Sequence, residues 1–329
     1  MINVGIVGAA GYTGGELLRI LVNHPNVEIV FANSKSNAGN AVWQVHRDLI
    51  GDTDLCFNSE LESDIDVLFL CMGHGDSVKF VSDNEAYFVN AKFKIIDLSQ
   101  DFRLKNKSTH VSTGEFVYGL PELNKEAIKK AKNIANPGCF ATCIQVGLLP
   151  LASAGKLNDD VHLTAITGST GAGQKPTDTT HFSWRENNLS VYKAFEHQHL
   201  YEINQSLKQL QSDFANQVNF VPYRGDFTRG IMANMHVKTD LTIEQAKELY
   251  TDYYKNHPFT IVISDNPDLK QVVNTNKALV YLEKHGDYLL VISMIDNLLK
   301  GASGQAVQNM NLMFGFEEKQ GLRLKGIGF

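Results

Sequence analysis

The residues best suited to covalent chemistry are the cysteines, and one of the four has a setting that favours reaction. Cys139 follows Asn136-Pro137-Gly138 and precedes an apolar helix predicted over Phe140 to Ala152, which puts its thiol at a helix N-terminus. Unpaired N–H groups and the helix dipole favour the thiolate there, and the thiolate is the nucleophile. Cys71 ends a predicted strand and Cys143 lies one turn beyond Cys139, so both read as small buried hydrophobes. Cys56 carries no contextual signal. The second chemical feature is the glycine series Gly8, Gly11 and Gly14, spaced by three between the strand Asn3 to Val7 and a helix from Glu16 to Leu21. Glycine permits the tight turn, and the new helix aims N–H groups at a pyrophosphate. Gly8, Gly11, Tyr12, Thr13 and Gly14 are therefore the expected dinucleotide contacts. About twenty residues on, where an acid would bind the ribose of NAD, stand Asn33, Ser34, Lys35 and Ser36. No carboxylate repels a 2′-phosphate there, and Ser34 and Ser36 can donate to it, so NADP is expected over NAD.

These residues must be carried on suitable elements. Apolar runs at Asn3 to Val7, Val27 to Ala32, Ile65 to Cys71 and Phe93 to Leu98 read as strands, with helix candidates between them. Continuous runs such as Asp66 to Cys71, without alternation, suit a parallel sheet covered on both faces. The class is α/β, a doubly wound Rossmann-like domain. Beyond about residue 155 the pattern changes to partly alternating segments at Val161 to Thr167, Ile231 to Thr239, Ala278 to Glu283 and Tyr288 to Ile295. They predict an α+β domain with a mixed or antiparallel sheet, and His285-Gly286-Asp287 is a hairpin-turn candidate. Small residues from Gly301 to Ala306 open the last predicted helix, to Phe314, and would allow close approach to a backbone or cofactor. The expected division is 1–138 with 300–329 for the nucleotide and 139–299 for catalysis and dimerisation.

Composition narrows the function classes. A chain of 329 residues, 43% hydrophobic and 20% charged, can bury two cores. A net charge of −6 with no basic run argues against a nucleic-acid partner. No apolar run reaches the ~18 residues a membrane span needs. Four unpatterned cysteines fit a reducing compartment, lack zinc spacing and predict no metal site. A cytoplasmic protein without membrane contact is expected.

Six ordered blocks carry a family resemblance: Gly8 to Gly14, Ile96 to Arg103, Tyr118 to Glu122, Asn136 to Cys139, Thr170 to Gly173 and Asp296 to Asn309. Together they resemble the N-acetyl-gamma-glutamyl-phosphate reductases over nearly the whole chain. The resemblance implies an aspartate-semialdehyde-dehydrogenase-like fold and NADPH-dependent reduction of an N-acyl-glutamyl 5-phosphate to the semialdehyde, in arginine synthesis, through a thioester on Cys139. It further implies dimers or tetramers, and cofactor contacts from Gly171, Ala172, Asn297 and Gln305. Arg103 is a candidate for the substrate's phosphate or carboxylate, because guanidinium binds oxyanions in a plane, or else for a salt bridge. One position departs from the family pattern, where a Pro-His pair precedes Arg-Gly: Pro222 is followed by Tyr223 and Arg224. A tyrosine with pKa near ~10 donates a hydrogen bond but is a poor base. His197 or His199, in a block that resembles the family's substrate-side His-x-His, is the alternative proton carrier. On a helix, residues two apart diverge, so at most one is expected to face the thiol. Arg224 can hold the thiolate by its charge or bind substrate.

Three further readings stay open: an N-succinyl substrate, an aspartyl-phosphate substrate with the same chemistry, and a catalytically silent NADP-binding sensor.

Overall fold

The computed structural model describes residues 1–89 and 91–328. Its contacts divide the chain into one unit of Met1–Gly138 with Ala302–Arg323, and a second of Cys139–Gly301 with a tail from Leu324. The tail therefore goes with the second unit, whereas the sequence grouped it with the first.

In the first unit, strands β1 (Ile2–Val7), β2 (Val27–Asn33), β3 (Phe57–Asn58), β4 (Val67–Leu70), β5 (Lys94–Asp97), β6 (Thr109–His110), β7 (Gly114–Tyr118) and β8 (Asn133–Ala135) form one sheet. Their order is β3-β2-β1-β4-β5-β8-β7-β6, parallel throughout except for β6 against β7. Every residue of β4 is buried, as a strand covered on both faces requires. The helix Tyr12–Leu21 starts four residues earlier than its apolar pattern predicts, because the glycine turn itself supplies the first turn. The helix Ser303–Phe314 belongs to this unit, and Ser303 Oγ donates to the Thr13 carbonyl at 2.8 Å.

The second unit holds β9 (Val161–Thr167), β10 (Ser190–Val191), β11 (Val218–Arg224), β12 (Ile231–Lys238), β13 (Thr260–Ile263), β14 (Ala278–His285) and β15 (Tyr288–Ile295). The order β10-β11-β9-β12-β15-β14-β13 is mixed, with β11·β9 and β13·β14 parallel and the remaining pairs antiparallel. β14 and β15 join through Gly286-Asp287, with Gly286 at φ +54°, so the hairpin reading holds. Alternation along β9, β11 and β12 buries one face under helices and leaves the other half-exposed. The helix Cys139–Ser153 lies within that core, with every residue from Phe140 to Ala152 buried. An all-round apolar helix can only be an interior one, which is why it lacks a polar stripe.

Candidate active site

Cys139 is the first residue of its fifteen-residue helix and is partly exposed. The glycine that packs against this turn, Gly301, has a steric reason. A side chain at Gly301 would place Cβ 2.8 Å from that of Cys139 and 2.6 Å from the Asn297 carbonyl oxygen. The small-residue run flagged in the sequence thus approaches Cys139 itself. Asp296 anchors that run: fully buried, it takes Nε and Nη2 of Arg229 at 3.0 and 3.1 Å, and its carboxylate also accepts the N–H groups of Asn274, Leu298 and Leu299. The other helix thiol differs in kind. Cys143 is buried against Ser293, and burial pushes it up to about 12, so it stays protonated.

His197 and His199 are both buried, with ring centroids 4.6 Å apart and both rings against Phe140. Both rings reach the Phe140 cluster because the helix begins only at His199, leaving His197 in the turn before it, so the divergence expected of two residues on one helix does not apply. His197 Nδ1 accepts the His199 N–H at 3.2 Å, which fixes the pair, and His199 Nε2 lies 3.9 Å from Glu202 Oε1.

Tyr223 requires a correction. Val218, Phe220 and Pro222 of β11 are buried in the helix-covered face, where Phe220 meets Phe140 and His197. Strand alternation sends Tyr223, with Asn219 and Val221, to the opposite face. It cannot serve as proton carrier on the Cys139 side. Arg224 is in phase with Phe220, and its guanidinium lies 4.6 Å from the centre of the Tyr192 ring. Tyr192 packs on the same core as Cys139, and burial first, the Cys139 charge second, pushes its hydroxyl up to about 12. It is a donor at neutral pH. Sequence reasoning missed Tyr192, for it lies in a segment without helical or strand periodicity. Also missed was Arg185, which is buried and donates to the carbonyls of Thr179, Asn188 and Arg224 and to Ser190 Oγ.

The turn Gly168–Gly173 follows β9, with Gly171 exposed and Ala172 half-exposed. Asn297 holds it: Nδ2 donates to Thr170 Oγ1 at 3.0 Å, and Oδ1 accepts the Gly230 N–H at 2.8 Å. These two bonds give Asn297 a bracing role within this unit.

In the first unit, Gly8 has φ +76°, and a Cβ there would collide with the Cys71 carbonyl. At Gly14 it would sit 2.6 Å from the Ala9 Cα. No side chain caps the helix that starts at Tyr12, and Gly11 is its N-cap. This backbone cradle fits a dinucleotide pyrophosphate. Tyr12 is exposed, while Thr13 bonds Cys71 through its hydroxyl. Ser34 and Ser36 follow β2 with hydroxyls 3.5 Å apart, and Asn37 Nδ2 donates to each. Gln305 is fully buried. Arg103 is buried as well; Nε donates to the Asn136 carbonyl at 2.8 Å and Nη2 to that of Leu98 at 2.9 Å. Those two bonds brace the chain that enters Cys139, and the Arg103 charge also acts on the buried Asp97 carboxyl.

Comparison with known proteins agrees with this geometry. Residues 3–131 match the NAD binding domain of semialdehyde dehydrogenase, and 139–297 match its dimerisation domain. The chain is 60% identical to the N-acetyl-gamma-glutamyl-phosphate reductase of Bacteroides fragilis and 59% identical to that of Bacteroides thetaiotaomicron, each over 100% of both chains. Among solved structures, aspartate semialdehyde dehydrogenase II of Vibrio cholerae covers 96% of this chain and 98% of its own at TM-score 0.75 and 20% identity. The Candida albicans enzyme, solved with NADP, covers 95% and 98% at TM-score 0.70 and 15% identity. The chain belongs to the semialdehyde dehydrogenase family and, within it, to the N-acetyl-gamma-glutamyl-phosphate reductases.

Proposed function

We propose that this chain reduces N-acyl-L-glutamyl 5-phosphate, N-acetyl by family default, to the 5-semialdehyde and inorganic phosphate in arginine biosynthesis. The observation that carries the reading is Cys139, a partly exposed thiol on the first residue of a buried helix, in a chain 60% identical to a reductase of that name. The Cys139 thiolate attacks the acyl carbonyl; the S–C bond forms, the C–O bond to phosphate breaks, and phosphate leaves with that oxygen. NADPH, when bound, supplies the hydride that reduces the thioester carbon. His199, oriented by His197, holds the proton at the hemithioacetal oxygen and removes it as the C–S bond breaks, which releases the aldehyde and restores the thiolate. A group in this role must lie on the Cys139 face, which favours the imidazole pair over Tyr223. Tyr192 donates its hydrogen bond, and Arg224 contacts substrate.

The cofactor would be held by the N–H groups at Gly8, Gly11, Tyr12, Thr13 and Gly14, and by Ser34 and Ser36 at the 2′-phosphate, with Gly171 and Ala172 approached by its nicotinamide end. The carboxylate-free end of β2 supports NADP. Four cysteines that form no disulfide among the described residues suit a reducing compartment and support a cytoplasmic place. Self-association through the half-exposed sheet face, with Thr164, Ile166, Val221 and Ile292, makes the protein a homo-oligomer, a dimer at least.

The test is phosphate-dependent reduction of NADP with N-acetyl-L-glutamate 5-semialdehyde, run beside the N-succinyl analogue and L-aspartate semialdehyde. Turnover with an N-acyl-glutamate semialdehyde, abolished by Cys139→Ser, is expected. Tight NADPH binding without turnover would favour a silent sensor, and a preference for L-aspartate semialdehyde would move the substrate class.

A further inference from the structure

Two buried donor atoms on the helix-covered face, Thr167 Oγ1 and Arg224 Nε, have no hydrogen-bond partner, although the Arg224 guanidinium also meets Tyr192. Thr167 ends β9 and Arg224 ends β11, and the parallel register pairs them directly. Both strands are in phase there, so the two side chains leave the sheet on the helix-covered face. Thr167 is 2% exposed and its Oγ1 has no hydrogen-bond partner; Arg224 Nε is equally buried and equally unpaired. Buried polar atoms are almost always satisfied, and two neighbouring orphans imply one shared acceptor. The arrangement is held from behind. Arg185 Nη1 donates to the Arg224 carbonyl at 2.7 Å, and Ser190, opposite Arg224 in the β10·β11 ladder, accepts from Arg185 Nη2 at 2.9 Å. Tyr192, two residues beyond Ser190, stacks on the guanidinium and lies close enough to Cys139 for its charge to act on the phenol.

We propose that Thr167 and Arg224 form a carboxylate subsite, in which one substrate oxygen accepts from Thr167 Oγ1 and Arg224 Nε. This rests on the reductase reading above and adds Thr167 to it. A cation paired with a neutral donor selects an anion over an amide, because a carboxamide presents N–H groups to donors that need an acceptor. The carboxylate can be the α-carboxylate of the glutamyl group or the end of a charged N-acyl group, and the experiment separates the two.

Kinetics of the phosphate-dependent reverse reaction would be compared for N-acetyl-L-glutamate semialdehyde, its α-carboxamide and the N-succinyl analogue, in the wild type, Thr167→Val, Thr167→Ser and Arg224→Met. Expected is a rise of about tenfold in KM for the preferred carboxylate in Thr167→Val, with the analogue lacking that carboxylate within about twofold, and recovery in Thr167→Ser. Lost discrimination of acid from amide places the α-carboxylate in the subsite; lost discrimination of succinyl from acetyl places the acyl carboxylate there. An equal fall for all three substrates means that a buried water satisfies the pair, and overturns the proposal. Should the wild type turn over none of them, the reductase reading fails instead. The subsite is then read by protection of Cys139 from iodoacetamide by N-acetyl-L-glutamate and N-succinyl-L-glutamate, followed by peptide mass spectrometry. Protection lost in Thr167→Val and Arg224→Met supports it, while protection unchanged in the variants, or absent from the wild type, defeats it.

Discussion

The two glycine turns are built from the same residue for different reasons. In the first unit the chain itself excludes side chains: at Gly8 a Cβ would strike the Cys71 carbonyl, and at Gly14 the Ala9 backbone. In the second unit only part of Gly168–Gly173 is so constrained. Gly168 would strike the Thr228 carbonyl, whereas at Gly171 a Cβ would meet nothing nearer than Thr167 Oγ1, at 3.4 Å. The first turn acts through backbone N–H groups and must be bare to expose them. The second borders a face whose proposed chemistry rests on side chains: Cys139, the two imidazoles, Tyr192 and Arg224.

That contrast predicts a graded series of variants. Cys139→Ser is expected to lower kcat by about 10⁴-fold or more while NADPH affinity, measured by fluorescence titration, stays within about twofold. Loss of cofactor binding in that variant would erase the division of labour. Gly8→Ala adds both a positive-φ strain and a backbone clash. It should weaken NADPH binding by about a hundredfold and cost on the order of 1–3 kcal/mol of stability by denaturant unfolding. His199→Asn should reduce kcat about a hundredfold, in the range of lost acid–base catalysis, with Tyr223→Phe within about threefold of wild type. A larger loss in Tyr223→Phe would return the proton to the position that sequence resemblance chose. Gly171→Ala has room for its methyl, so an unchanged melting temperature with a KM for NADPH raised about fivefold would mark cofactor contact there, and no change in KM would remove Gly171 from the cofactor's path.

The smallest effect concerns Asp97, fully buried at the end of β5, where the hydroxyls of Ser77 and Ser99 donate to it at 2.6 and 2.7 Å. Burial outweighs those bonds and raises its carboxyl to about 6. The folded state therefore holds the proton more tightly than the unfolded chain, so this contribution to stability is full below the ordinary carboxylate pKa and is lost as pH rises through about 6. Melting temperatures of the wild type and Asp97→Asn should diverge in the variant's favour between pH 4.5 and 7. Parallel curves would show that Asp97 is ionised throughout.

Much of this was legible before folding. The parallel first sheet followed from unbroken apolar runs such as Val67 to Leu70, and the glycine spacing located the cradle at Gly8 to Gly14. Helix placement alone singled out Cys139 from Cys143, and burial separates them in the same sense. The site residues around the thiol were harder to read, for a definite reason. Motif resemblance preserves chain position, but the face on which a side chain emerges depends on strand phase and on where a helix starts. Tyr223 sits at the motif position and points away; His197 and His199 were assigned to one helix, yet the helix begins between them. Asn297 and Arg103 have the right chemistry for ligands, yet Asn297 bonds the Thr170 hydroxyl and the Gly230 N–H, and Arg103 donates to the Asn136 and Leu98 carbonyls.

By itself, then, the sequence determined the two-unit α/β architecture, the proposed nucleophile and the backbone cradle proposed for the cofactor, because each depends on local periodicity or on a residue type no other can replace. Only the tertiary structure decided which donors share the Cys139 face. Thr167, Arg185, Tyr192 and Arg224 come from three separate stretches of chain, and they meet only through the parallel register of β9 with β11 and the clamp that Arg185 sets on the end of β11. Such neighbours, distant in the chain, leave no periodic trace in it; the register that joins them arises from burying one face of the sheet.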